Sequence, residues 1–206
     1  MNEGYNEVLR SIGSSDPTPG GGSVAALSLA HAHSLAMMVA RLTEGKEKWA
    51  KGHEVAKSVI SESQVGLAEA MRLAEVDAEA FDSVMSAYRL PRETDGQKED
   101  RKKSIREATL GAAEAPLATA SCAMGLLSSL ESLCIACNAN ALTDLASASE
   151  LSLSAVKIAA MNVRINLEFI EGDDVDRLAS QIEKVVRQSS SSAQAITLKV
   201  NERLGW

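Results

Sequence analysis

Gly20, Gly21 and Gly22, preceded by Pro17-Thr18-Pro19 and followed by Ser23, form the stretch of this chain best suited to close contact between a ligand and the backbone. The prolines remove backbone donors and stiffen the approach, and the glycines carry no Cβ to hold a ligand away. With Ser23 as N-cap of a helix starting at Val24, the free N–H groups of the first turn point at whatever lies in front of them. A carboxylate, a phosphate or a carbonyl-rich heterocycle suits that position. A tight helix-start turn with no ligand explains the same residues equally well.

Acids and amides supply further chemistry. Asp77 stands in a run with Glu75, Glu79 and Asp82, and Asp144 follows Asn138 and Asn140 near a helix start. Either carboxylate can carry protons for a reacting atom, or serve as a solvated face or a helix N-terminal charge. Asn162 and Asn166 lie four apart, on one helix face, in the apolar context AAMNVRINL. Their amides need partners, because an unpaired buried polar group costs about 1–3 kcal/mol. Each other, a neighbouring backbone or a ligand would do. Cations cluster in two places: Arg41, Lys46, Lys48 and Lys51, then Lys98, Arg101, Lys102, Lys103 and Arg106. Either cluster could meet an anion or form an ordinary solvated face.

Other chemistries find no support. No Gly-x-Ser-x-Gly surrounds Ser23, and no Lys-Ser/Thr pair follows the glycines as a phosphate-binding loop requires. His31 and His33 are two apart and point in different directions on a helix, so no metal pair and no metal site is expected. His31 falls on an apolar stripe and reads as a core residue, and His53 as a solvated one. Cys134 and Cys137 form a C-x-x-C inside an apolar helical stretch with no second ligand pair, which makes them interior filling.

The elements that position these groups are helices. Hydrophobic residues make up 45% of 206 but aromatics only 3%, so the core is built from Ala, Leu, Val, Ile and Met. Val24, Leu27, His31, Leu35, Met38 and Leu42 mark one stripe, ending near Gly45. A second run carries Val55 and Val59, then Leu67, Met71, Ala74, Ala78, Phe81, Met85 and Tyr88, and Leu90-Pro91 stops it. Residues 92–97 read as a connector, residues 98–107 resume a helix, and Pro116 kinks or divides it. Leu117 to Cys137 reads as an interior helix, Asn138-Ala139-Asn140 as a break, and Thr143 to about Phe169 as the next helix. Gly172-Asp173 starts the last one, which continues through Ser189 to Ser192. The expected architecture is all-α: a single multihelical bundle domain over 1–206, of about six helices, several long. Wide Ala-rich faces suggest a homodimer. The net charge of −7 argues against nucleic acid as a partner. No uninterrupted apolar run reaches the length of a membrane span, and residues 1–15 lack the layout of a signal peptide, so no membrane partner is expected and the chain reads as cytoplasmic.

Taken in order, PTPGGGSVAAL (17–27), MVARLTEGKEKW (38–49), DAEAFDSVMSAYRLPR (77–92), NANALTDLASA (138–148) and NVRINL (162–167) resemble the formiminotransferase-cyclodeaminase / methenyltetrahydrofolate cyclohydrolase family over nearly the whole chain. Asp82, Arg92, Trp49, Cys137 and Ala139 depart from the family's usual residues. The resemblance implies a multihelical dimer or higher oligomer acting on a tetrahydrofolate derivative, with no metal and no cofactor beyond that substrate. It implies one of two reactions: closure of 5-formiminotetrahydrofolate to the 5,10-methenyl form with release of ammonia, or addition of water to the methenyl form to give 10-formyltetrahydrofolate. On that reading the catalytic residues are Asp144 first, then Asp77, with Lys46 beside them. Pro19, Gly20, Gly21, Gly22 and Ser23 hold the pterin edge or an anionic part of folate. Asn140, Asn162 and Asn166 orient the substrate, and Lys46, Lys48 and Arg106 meet its glutamate carboxylates. These groups are expected to share one cleft, within a protomer or across a subunit contact. A folate-binding helical protein without catalysis is the reading from a different class.

Overall fold

The computed structural model describes residues 3–206 and contains six α-helices: α1 (Glu3–Ile12), α2 (Gly21–Glu44), α3 (His53–Tyr88), α4 (Asp95–Leu133), α5 (Leu142–Leu167) and α6 (Asp173–Leu204). Short 3-10 turns at Glu47–Gly52 and Ala139–Ala141 link α2 to α3 and α4 to α5, and the described residues include no strand. Helices α2 to α5 run up, down, up and down around a square, with α2 and α4 on one diagonal, while α6 closes the α4–α5 side. The helix α1 lies across the outside and buries none of its residues. Helices α3 and α4 are the longest, and beyond Ala78 the α3 chain buries only Ala87.

Local chemistry sets the helix boundaries. Thr94 and Gln97 form a reciprocal capping box, so α4 starts inside the segment expected to be a connector. Pro116 is buried within α4 and does not divide it. Gly172 at φ 132° leads into α6, and Gly205 at φ 74° ends it in the left-handed region.

The inside of the bundle is the reverse of the expected one along α2. Its buried face is Ala25, Ala26, Leu29, Ala30, Ala32, Ala36, Val39 and Ala40, all at 6% exposure or less. Alanine faces let helix axes approach closely. Most of the large residues expected as a core stripe point outward: Met38 and Leu42 are exposed and Val24 and Leu27 half-buried, while Leu35 packs against the core. On α3 the same holds for Met71, Phe81, Met85 and Tyr88. His31 is therefore not a core residue. It is exposed, its Nδ1 against the Leu27 carbonyl and its Nε2 against the Tyr5 hydroxyl, while His33 is buried. Windows of α2 and α4 are long and apolar enough for a membrane span, although 61% and 56% of them is buried against the bundle.

Candidate functional site

Helix α2 begins at Gly21, with Gly20 as its N-cap and a cis Thr18–Pro19 peptide just before it. Ser23 is thus not the cap. It sits inside the first turn, buried, and its hydroxyl donates to Asp77 Oδ2 at 3.1 Å. Asp77 comes from the middle of α3, which runs antiparallel to α2. A Cβ on Gly22 would fall inside the Asp77 carboxylate, so glycine is what lets that carboxylate lie on the α2 backbone. Burial pushes the Asp77 carboxyl above the usual carboxylate range, against a smaller opposite pull from the Ser23 hydroxyl and amide. The result is a half-buried acid whose proton is easier to keep than that of a surface aspartate. A carboxyl of this kind can give a proton to a leaving nitrogen or take one from water.

The α5 amides border the same end. Asn162 Nδ2 stands 3.6 Å from where a Cβ on Gly21 would be, and donates to the Ile158 carbonyl at 2.9 Å. Asn166 Nδ2 donates to the carbonyls of Asn162 at 2.9 Å and Ala112 at 2.8 Å. The second bond has a specific origin. Ala112 lies four residues before Pro116, which has no N–H to offer it, so Asn166 supplies the donor the helix lacks. The N–H groups of Asn166 therefore brace α4 against α5. The Asn162 and Asn166 carbonyl oxygens are the parts of those amides that make no hydrogen bond with a described residue.

Arg106 lies nearby, in a 610 Å³ cavity lined by Arg101, Lys102, Ile105 and residues 168–171. Its guanidinium is held by Asp174 at 2.6 Å and by the Glu171 carbonyl at 3.0 Å. Arg101 donates to the Tyr88 carbonyl and stacks on the Tyr88 ring. Lys102 is exposed in the same cavity and makes no ion pair with a described residue. Arg101 and Lys102 belong to the basic run that the sequence offered for an anion, although of that run only Arg106 was placed against the folate carboxylates.

Asp144, Asn140, Lys46 and Lys48 are at the opposite end. The Asn138 amide N–H donates to Thr43 Oγ1 at 3.0 Å and its side chain to the Leu42 carbonyl at 3.0 Å, fixing the start of α5 on the end of α2. The Asn138 side chain also accepts from the Asn140 amide at 3.0 Å. Arg203, from the last turn of α6, donates to the Cys134 and Cys137 carbonyls and to Cys137 Sγ, holding the turn that precedes Asn138. Lys46, Lys48 and Asn140 are exposed, and Asp144 is half-buried. Along α5, Asp144 and Asn162 are separated by about 27 Å at the usual helical rise. Within one protomer the expected residues thus form two groups and not one cleft: Gly20 to Ser23 with Asp77, Asn162 and Asn166 at one end, Lys46, Asn140 and Asp144 at the other. Among the described residues no group of three or more His, Cys, Asp or Glu side chains is placed to hold a metal ion.

The profile of the formiminotransferase-cyclodeaminase family matches residues 4–188. A methenyltetrahydrofolate cyclohydrolase from Methylorubrum extorquens is 35% identical over 171 residues, covering 82% of each chain. A formimidoyltransferase-cyclodeaminase from Gallus gallus is 28% identical over 195 residues, 95% of this chain but only 36% of that longer protein. The crystal structure of a formiminotetrahydrofolate cyclodeaminase from Thermotoga maritima superimposes with a TM-score of 0.87 at 25% identity, covering 100% of this chain and 98% of that one.

Proposed function

The chain belongs to the formiminotransferase-cyclodeaminase family, and from that membership we propose that it is an enzyme acting at the N5–N10 bridge of tetrahydrofolate. The first reading is formiminotetrahydrofolate cyclodeaminase, supported by the end-to-end match with the Thermotoga maritima structure. The second is methenyltetrahydrofolate cyclohydrolase, favoured by the relative of comparable length at 35% identity. Both reactions pass through one tetrahedral carbon between N5 and N10, and both need a proton moved beside it. In the first, N10 attacks the formimino carbon and the departing nitrogen must be protonated. In the second, water adds to the methenyl carbon and loses a proton as the N5 bond opens.

The observation that carries this reading is the Asp77 carboxyl, laid over bare Gly22, held by Ser23 and shifted upward by burial. Asp77 is the proton carrier of this end. The exposed Gly21 backbone and the free amide oxygens of Asn162 and Asn166 face the pterin, and the Arg101–Lys102–Arg106 cavity takes the glutamate tail. In that arrangement Arg106 shapes the cavity through Asp174, and Lys102 meets the carboxylates.

Asp144, Asn140 and Lys46 join the same site only in a homodimer. The outward stripe of α2 and α3 supplies the contact, since Met38, Leu42, Met71, Phe81 and Met85 are each at least 37% exposed. A two-fold axis near the middle of α2 sets the two copies of that helix antiparallel. The Asp77 end of one protomer then lies beside the Asp144 end of its partner. The enzyme acts in the cytoplasm, with the folate substrate as its only small-molecule requirement.

Two measurements test these statements. Purified protein is mixed with 5-formiminotetrahydrofolate or with 5,10-methenyltetrahydrofolate and the methenyl chromophore is followed. Its appearance identifies the cyclodeaminase, its disappearance the cyclohydrolase, and binding without either change leaves a non-catalytic folate protein. Equal mixing of inactive Asp77→Asn and Asp144→Asn chains then tests the shared site. Random reassortment restores about a quarter of wild-type turnover if each site draws on two protomers, and none if each is complete within one.

A further inference from the structure

A second cleft opens on the α3–α4 side of the bundle, away from both groups of folate-family residues. Ser61, Glu62, Val65, Gly66 and Glu69 of α3 face Cys122, Gly125, Leu126 and Ser129 of α4 across a volume of 560 Å³, and His33 reaches its floor from α2. His33 is 6% exposed, its Nδ1 is fully buried with no partner, and no hydrogen bond from a described residue reaches Nε2. A buried polar ring without partners is rare in folded proteins and costs free energy where nothing compensates it. Gly66 is what lets the ring pack there: a Cβ would fall inside the Nδ1–Cε1–Nε2 edge of the imidazole. Nδ1 is sealed in, and Nε2 is the ring nitrogen left within reach of the cleft.

The opposite wall has a glycine too. A Cβ on Gly125 would meet nothing within 4 Å, so packing does not require glycine there. Glycine in the middle of a helix costs about 1 kcal/mol against alanine. At this position its effect is to keep the slot wide. Val65 and Leu126 make the walls apolar. The rims are acidic: Glu62 accepts from Ser129 at 2.6 Å, and Glu69 pairs with Arg72 at 2.7 Å. Burial lowers the His33 pKa to about 4, so the ring is neutral at physiological pH and offers one N–H and one lone pair.

We propose that this cleft is a second binding site, for a flat, uncharged nitrogen heterocycle that hydrogen-bonds Nε2 of His33 and lies against the open Gly125 wall. Gly125 leaves room along the α4 wall, Glu62 stands without a cation among the described residues and disfavours anions such as the folate glutamates, and a volume of 560 Å³ is in the range of small-molecule pockets. The site is independent of the folate chemistry, so either stands if the other fails.

Benzimidazole is the probe, with indene as the shape match that lacks both nitrogens. Binding is followed by the 15N shifts of the His33 ring and by titration, in the wild type and in His33→Phe and Gly125→Leu. The expected result is benzimidazole binding with a shift at His33 and at least tenfold weaker binding of indene. Both variants should weaken benzimidazole at least tenfold, with turnover of Gly125→Leu unchanged. Gly125→Leu adds its side chain into open space, so it tests the slot even if His33→Phe fails to fold. No benzimidazole binding at millimolar concentration, equal binding of indene, or full binding by Gly125→Leu overturns the proposal.

Discussion

Replacing Gly22 with alanine separates the position of the Asp77 carboxylate from the stability of the fold. The new methyl would occupy the place of that carboxylate, so Asp77 must swing away and release the Ser23 hydroxyl. Two energies oppose each other. A helical Gly→Ala change stabilises by up to about 1 kcal/mol, and loss of a hydrogen bond to a charged group costs about 1.5–3 kcal/mol. The net change is a loss of about 0.5–2 kcal/mol, small enough for the protein to fold. The effect on catalysis is larger, since displacing a proton carrier by 1 Å or more lowers the rate by about 10²-fold. Gly96 is the matched control. It also lies in the first turn of a long helix, but a Cβ there meets nothing within 4 Å. Gly96→Ala is therefore expected to keep full turnover and to gain stability. Methenyl absorbance and thermal unfolding, measured on both variants, give the two readouts. Full turnover in a folded Gly22→Ala protein would refute the role given to Asp77.

Two further outcomes are expected. Asn166→Ala orphans the Ala112 carbonyl and costs about 1–3 kcal/mol, but in a Pro116→Ala background the restored N–H of residue 116 makes Asn166 largely dispensable. A coupling energy near zero in a denaturant double-mutant cycle would show that the two residues act separately. The second concerns pH. His33 has a folded pKa of about 4, below its unfolded value of 6.5, so the unfolded chain binds the extra proton. Its destabilising effect is absent above pH 6.5, grows as pH falls from 6.5 to 4, and is constant below that. The full shift corresponds to about 3 kcal/mol, and access of water through the cleft reduces this to about 1–2 kcal/mol. In His33→Phe the stability curve between pH 6.5 and 4 should be flatter by that amount, and an unchanged slope would contradict the burial of a neutral ring.

Helix existence and order were legible because the signals are local: Leu90-Pro91, Gly172-Asp173 and the unbroken 3.6-residue period each act within a turn or two. What faces inward was not. The eye follows large residues, and along α2 those trace Val24, Leu27, Leu35, Met38 and Leu42, of which Leu35 alone packs against the core. The true inner face is mostly alanine, which carries little pattern, and for the same reason His31 was expected inside and His33 was passed over. Gly22, Ser23 and Asp77 were visible as candidates, yet their contact depends on an antiparallel register that no motif spells out. The distance between Asp144 and Asn162 could have been measured from the sequence alone, because both were already placed on one helix. For Asn166 a neighbouring backbone was among the expected partners, but not which carbonyl it would take. Its partner is a carbonyl made available by a proline in another helix, and the sequence does not connect Pro116 to α5.

Arg203 decides how independently the two ends of the bundle hold their shape. Its three bonds to Cys134 and Cys137 are the only ones by which the last turn of α6 ties down the corner leading to Asn138 and Asp144 among the described residues. Arg203→Ala would leave that corner without its clasp, while Ser23, Gly22 and Asp77 keep their own contacts. The two ends of the bundle can therefore loosen independently, and a loss at α6 is felt first at an aspartate some sixty positions upstream.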